Sequence, residues 1–244
     1  MQTEVERKAW LEERRKGIGA SDAAAACGLS KWMTPLQLYL DKIGEGLPVD
    51  ETPDMRWGTL KEGVVLLEWA TRRGVFASKP DLPFVSGRWP FARANLDGIA
   101  MITDAGGNMV GSRIIEVKCS RSDAGWGEQG TDEVPEAYRI QALHQMACCQ
   151  WADRVEFAVL IGASDYREYT VMRDDAAIES LMMIEARLWQ RVLDRDPPPP
   201  TTAEDVALLH PVSRPIAREA TPDVVEAVAT IGRIKAEMAD LEKE

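Results

Sequence analysis

Apolar residues recur at three- and four-residue spacing over about 4–16, 21–28, 34–43 and 58–74, which predicts four helices in the first third of the chain. In the last of these, Leu60, Val64, Leu67 and Ala70 share one side and are expected to be its buried stripe, with Gly74 as C-cap. The period then changes. Segments 91–101, 113–119, 154–162 and 167–173 read as strands, and Val155-Glu156-Phe157-Ala158-Val159-Leu160-Ile161, the most apolar, is expected at the centre of a sheet. Gly106-Gly107-Asn108 marks a turn that would make the first two strands a hairpin. Helices return at about 135–150 and 174–193. The pattern is α/β, a mixed central β-sheet flanked by helices.

Past this core, which we place at residues 1–195, Pro197 to Pro200 stop the preceding helix and open a stiff Pro-rich linker over 196–220. Thr221-Pro222-Asp223 then starts a C-terminal helix, 221–244, with Val224, Val228, Ile231, Ile234, Met238 and Leu241 at approximately heptad spacing. Such a stripe is expected to serve oligomerisation or partner docking. Residues 120–134, with Gly125, Gly127 and Gly130 around Trp126, read as a loop. Arg121 in it could reach a phosphate, and Trp126 either stacks on a base or packs back on the body.

The length of 244 residues suffices for one sizeable core. A net charge of −11 opposes generic adhesion to phosphate backbones, so a DNA enzyme with this balance must focus its cations locally. The first ten residues lack an apolar leader, and no stretch approaches the roughly 20 apolar residues of a membrane helix. A cytoplasmic location is therefore expected. Cys27, Cys119, Cys148 and Cys149 have no C-x₂-C spacing and sit in apolar contexts; reduced thiols and no iron–sulfur cluster are expected.

The chemistry concentrates at Ile114-Ile115-Glu116-Val117-Lys118-Cys119, preceded by Asn95-Leu96-Asp97-Gly98. In a strand Glu116 and Lys118 project to one face while Val117 points to the other. Two carboxylates, Asp97 and Glu116, held together beside a half-buried lysine repel unless a cation is bound. Their oxygens, with the Val117 carbonyl as a third donor, suit Mg²⁺, with Mn²⁺ as substitute. Lys118 would then face the attacking water and the charge developing on phosphorus. The alternative for an isolated E-x-K is a charge pair on a solvated sheet face.

Four blocks in order tip that balance. They are Arg14-Arg15-Lys16-Gly17-Ile18-Gly19-Ala20-Ser21-Asp22-Ala23, Trp57-Gly58-Thr59-Leu60-Lys61-Glu62, the Asp97/Glu116/Lys118 pair of segments, and Tyr138-Arg139-Ile140-Gln141-Ala142-Leu143-His144-Gln145-Met146. Together the set resembles the lambda exonuclease or YqaJ-like viral recombinase family of the PD-(D/E)XK nuclease superfamily. The resemblance implies that Glu62, Asp97 and Glu116 surround the metal, that Lys118 is the catalytic lysine, and that Gln141 and Tyr138 lie on a helix beside the centre. It implies that Arg14 and Ser21 hold a terminal 5′-phosphate; at a second phosphate position the chain has Asn95 where the family's best-known member has serine. By the same resemblance the protein is a Mg²⁺-dependent 5′-to-3′ exonuclease acting on linear double-stranded DNA ends in a bacterial cytoplasm. A ring-shaped homotrimer and a single-strand annealing protein as functional partner are implied with it. The competing readings are an endonuclease or repair nuclease on the same core, and a non-catalytic DNA-end-binding protein. Gln141 and His144, three apart on one helix, are each otherwise read as satisfied core polar groups.

Overall fold

A computed structural model describes residues 11–48, 50–104, 106–212 and 219–241. Most of the helix expected at 4–16 lies outside these; its last turn, 11–14, is helical. The chain then runs through β1 (Ile18–Gly19), a 3₁₀ turn at Ala20–Asp22, and α1 (Ala23–Ala26) into α2 (Pro35–Ile43) and α3 (Pro53–Arg73). Local chemistry sets these helix ends. The Thr34 hydroxyl accepts from the Gln37 N–H while the Gln37 side chain accepts from the Thr34 N–H, a reciprocal cap for α2. Thr52 accepts from the Met55 N–H at the start of α3, and Gly44 and Gly74, both left-handed, end the two helices.

Six more strands follow as β2 (Phe76–Ser78), β3 (Phe84–Val85), β4 (Ala92–Ala94), β5 (Gly98–Thr103), β6 (Met109–Ser120) and, after α4 (Glu136–Cys148), β7 (Arg154–Ile161). Then come β8 (Asp165–Met172), α5 (Asp175–Asp194), α6 (Ala203–Leu209) and α7 (Pro222–Leu241). The main sheet has the order β2-β5-β6-β7-β8, antiparallel except for the parallel β6–β7 pair; β1, β4 and β3 form a smaller sheet. The mixed sheet flanked by helices is the one expected. β6, not the more apolar β7, is the middle strand: the hairpins β5–β6 and β7–β8 put both inside the sheet, and β2, added beside β5, shifts the centre to β6.

Two sequence expectations fail here. The segment 91–101 is not one strand but two, β4 and β5, in different sheets. Between them Leu96 is buried and plugs the core, so the chain turns at Asp97 as it passes from one sheet to the other. On α3, Leu60, Val64 and Leu67 are exposed, and only Ala70 of the expected stripe is buried. The face that packs carries Val65, Leu66, Trp69 and Ala70 against Ala100, Ile115, Val117 and Ala158. α3 has two apolar stripes, and the one with the large indole of Trp69 removes more surface from water. Gly98 allows the close approach, since a Cβ there would stand 2.5 Å from a Leu66 methyl carbon.

The opposite sheet face is covered by α4 and α5, where Ile114, Phe157 and Val159 pack with Leu143, Met146, Ile178 and Met182. Ala20 and Ala23 join this core, which seats the 3₁₀ turn against α4. Cys148 and Cys149 are buried, Cys27 and Cys119 half-buried, and all four are free thiols. The described residues form one compact unit up to Asp205 and a second from Val206 onward. The first closes on buried Asp205, which accepts from the Thr34 hydroxyl at 2.7 Å and from the Thr201 N–H at 2.9 Å. In the second, α7 has no buried residue.

Candidate active site

The sheet alternation works as expected. Val117 points to the α3 side, whereas Glu116 and Lys118 point toward α4. Glu116, 2% exposed, is held from three sides. Lys118 Nζ donates to its Oε1 at 2.7 Å, Gln141 Nε2 donates to the same oxygen at 2.6 Å, and Gln145 Nε2 donates to Oε2 at 2.5 Å. Lys118 also donates to Gln141 Oε1 at 3.1 Å, and its ammonium lies 4.6 Å from the centre of the Tyr138 ring. Asp97 Oδ2 accepts the Val117 N–H at 2.9 Å, which ties the turn before β5 to the middle of β6.

Burial raises the Asp97 carboxyl to about 8; Glu116 and, more weakly, Glu62 add to this, against the pull of Lys118 and the Val117 N–H. Burial works to lower the Lys118 ammonium, but Glu116 and Asp97 outweigh it and hold its pKa above the usual lysine value. Lys118 is therefore a stable cation among acids. Glu62 is near enough to act on Asp97, yet its carboxylate is ion-paired with Lys79. Among the described residues no three His, Cys, Asp or Glu side chains are gathered to hold a metal ion. The donor set nonetheless fits a divalent cation in kind and charge. Hard carboxylate oxygens converge where burial, and after it the neighbouring Glu116, push a carboxyl to about 8.

Asp97, Glu116, Lys118, Gln141 and Tyr138 thus come together. The other named residues are placed apart from that cluster or in different bonds. Arg14 Nη2 is bound to Asp22 Oδ1 at 2.7 Å, and Asp22 also accepts from buried Lys42 at 2.6 Å and from the Gly19 N–H at 3.1 Å. Of the two cations that follow Arg14, Arg15 donates to the Asp41 carbonyl and Lys16 pairs with Glu13. Ser21 is exposed in the 3₁₀ turn, and Asn95 is exposed just before Asp97. Arg121, 81% exposed by side chain, pairs with Asp54 on the first turn of α3. Trp126 packs back: it is buried against Tyr138, Tyr169 and Phe157. The Tyr169 hydroxyl donates to the Gly127 carbonyl, so the loop is anchored to β8.

His144 turns away from Gln141 toward α5. Its Nε2 meets the Arg93 carbonyl at 3.0 Å and its Nδ1 meets Glu185 at 2.9 Å, with both side chains fully buried. A carbonyl only accepts, so Nε2 carries a proton, and the proton on the Nδ1 side is shared with Glu185. Burial opposes the imidazolium but Glu185 outweighs it, and the His144 pKa stands well above 6.5. The pair is a structural tie between α4, α5 and β4.

Sequence reasoning missed Gln145 and Lys79. Gln145 stands four residues after Gln141, which puts it on the same helix face one turn on. Lys79 gave no such signal, because it reaches Glu62 only through the pairing of β2 beside α3.

The model of the YqaJ-like viral recombinase domain matches residues 9–152. The chain belongs to that family. It is 34% identical over 191 residues to the uncharacterized protein YqaJ of Bacillus subtilis strain 168, covering 77% of this chain and 56% of that one. The chain therefore spans little more than half the length of that relative. Among solved structures it is similar to an alkaline exonuclease, LHK-Exo, from Laribacter hongkongensis, with a TM-score of 0.60 at 17% identity, covering 78% of this chain and 94% of that one. A phage-related exonuclease from Haemophilus somnus 129PT matches with a TM-score of 0.51 at 17% identity, over 73% and 94% of the two chains. These likenesses establish a shared fold, the mixed sheet with its flanking helices.

Proposed function

We propose that this YqaJ-family chain is a metal-dependent deoxyribonuclease, a 5′-to-3′ exonuclease on linear double-stranded DNA that leaves 3′ single strands for recombination by annealing. The observation that carries the reading is the convergence of Asp97, Glu116 and Lys118, with Gln141, at one point between β5, β6 and α4. A binding module has no use for a carboxyl pushed up to about 8 beside a half-buried ammonium. Support also comes from the fold shared with proteins described as exonucleases.

In this reading Asp97 and Glu116, with the Val117 carbonyl and with Glu62 once it leaves Lys79, would hold Mg²⁺ or Mn²⁺, and the cation would supply Lewis-acid chemistry there. Lys118 orients the attacking water and stabilises charge on the phosphoryl oxygens. Gln141 holds both Lys118 and Glu116 in register. Tyr138 covers the ammonium with its ring, and Arg14, Ser21, Asn95 and Arg121 are the candidate contacts to DNA and its 5′-phosphate. For Arg14 this requires sharing its guanidinium with Asp22. We further propose a homotrimer, a single-strand annealing protein as partner, and work in a bacterial cytoplasm; among the described residues no helix is long and apolar enough to cross a membrane.

The test is digestion of 5′-phosphorylated linear duplex, 5′-hydroxyl linear duplex and a covalently closed circle, with Mg²⁺ or chelator, by the natural chain and Lys118→Ala. Degradation of the phosphorylated linear DNA alone, abolished by chelator and cut by about 10²–10³ in the variant, is expected. Cutting of the circle would reassign the chain to endonuclease action, and end binding without cleavage would remove the enzyme reading.

A further inference from the structure

Gln145 is wholly buried on α4, and among the described residues its side chain makes one hydrogen bond, from Nε2 to Glu116 Oε2 at 2.5 Å. Its own Oε1 is buried without a hydrogen-bond partner. A buried amide with an unpaired oxygen opposes folding; Met or Leu would remove that orphan but leave the buried Glu116 Oε2 without its partner. The bond to Glu116 is what the glutamine supplies at this position.

The two amides of α4 divide the carboxylate between them, Gln141 on Oε1 and Gln145 on Oε2. Oε1 is over-provided, since Lys118 binds it as well. Oε2 has Gln145. The terminal torsion of a glutamate is broad and nearly two-fold, so a carboxylate held at one oxygen swings about that point. We propose that Gln145 is a positioning residue that fixes the rotation of the Glu116 carboxylate and thereby sets the affinity of the Asp97–Glu116 pair for a divalent cation. This rests on the metal-dependent reading above. Gln145 itself touches neither DNA nor the reacting atoms, and its effect passes through Glu116.

The probe is Mn²⁺ alone, titrated calorimetrically into the full chain without DNA, for the natural protein, Gln145→Met and Gln145→Asn. Met fills the volume without a donor; Asn keeps the amide but is one methylene short of Glu116. Cleavage of linear duplex against Mn²⁺ concentration then separates half-saturation from the plateau rate, and melting in chelator reports folding. Both variants are expected to bind Mn²⁺ about ten- to a hundredfold more weakly, with half-saturation shifted in parallel, the plateau rate largely kept and Gln145→Met still melting in one cooperative transition, lowered by the unpaired Glu116 Oε2. Natural affinity in a folded Gln145→Met would overturn the proposal and leave the nuclease reading intact, as would a loss confined to the plateau rate. Should Gln145→Met not fold, Gln145→Asn decides by the same criteria. A natural chain that neither binds Mn²⁺ nor cleaves DNA would overturn both readings.

Discussion

Asp97 is the residue at which burial, charge and proton uptake meet. Its carboxyl is raised from 3.8 to about 8 by burial first and by Glu116 second. A carboxyl raised on folding binds its proton more tightly in the folded than in the unfolded chain. Between the two values the folded state therefore holds more protons, and metal-free stability falls as pH rises from about 4 to about 8. A divalent cation reverses this by supplying the charge that the proton supplied. Melting of the metal-free chain across that range is expected to show a declining midpoint, and Mg²⁺ should raise the midpoint more at pH 8 than at pH 5. Asp97→Asn should flatten the slope and the Mg²⁺ response together. An unchanged slope in the variant would place the titration elsewhere.

At the scale of elements, the site depends on how closely α3 approaches the strand that follows Asp97. Gly98 allows that approach, because Leu66 of α3 occupies the space where a Cβ would stand, at 2.5 Å. Gly98→Ala should cost about 1–3 kcal/mol by overpacking, measured by urea unfolding. It should also weaken cleavage beyond what stability explains, because the neighbouring Asp97 is displaced from the Val117 N–H. The elements themselves were largely legible in the sequence. Alternation placed Glu116 and Lys118 on one face, Gly74 marked a helix end, and the Gly-rich turn marked the β5–β6 hairpin. What was not legible arose from competition between equal local signals. Leu60-Val64-Leu67 and Val65-Leu66-Trp69 are both helical stripes, and only the sheet beneath decides between them. The break at Leu96 was hidden because a buried plug between two sheets looks, in sequence, like one more apolar strand position. Lys79 and Asp54 were invisible as partners of Glu62 and Arg121 because ion pairs across elements leave no periodic trace.

The whole molecule carries a net charge of −11, which on its own makes for weak, salt-sensitive attachment to DNA. Enclosure of the duplex by several copies would substitute topological retention for ionic affinity, and this is the physical case for the proposed trimer. The second unit offers one means of assembly. α7 is 20 residues long, and Val224, Val228, Ile231, Ile234, Met238 and Leu241 are all exposed along it. A helix of that length is marginal in water without a partner for its apolar face. Val224, Ile231 and Met238 stand seven apart, as do Ile234 and Leu241, which is the seam of a helix that winds on another helix. Sedimentation of the 27.1 kDa chain is expected to give about 81 kDa for a closed trimer. Ile231→Asp with Ile234→Asp separates the two roles of the stripe. A drop to the mass of one chain makes α7 the joint between copies. An unchanged assembly with intact nuclease action leaves α7 to a different protein, and places the trimer contacts on the first unit, where exposed Leu60, Val64 and Leu67 of α3 form the next surface to alter.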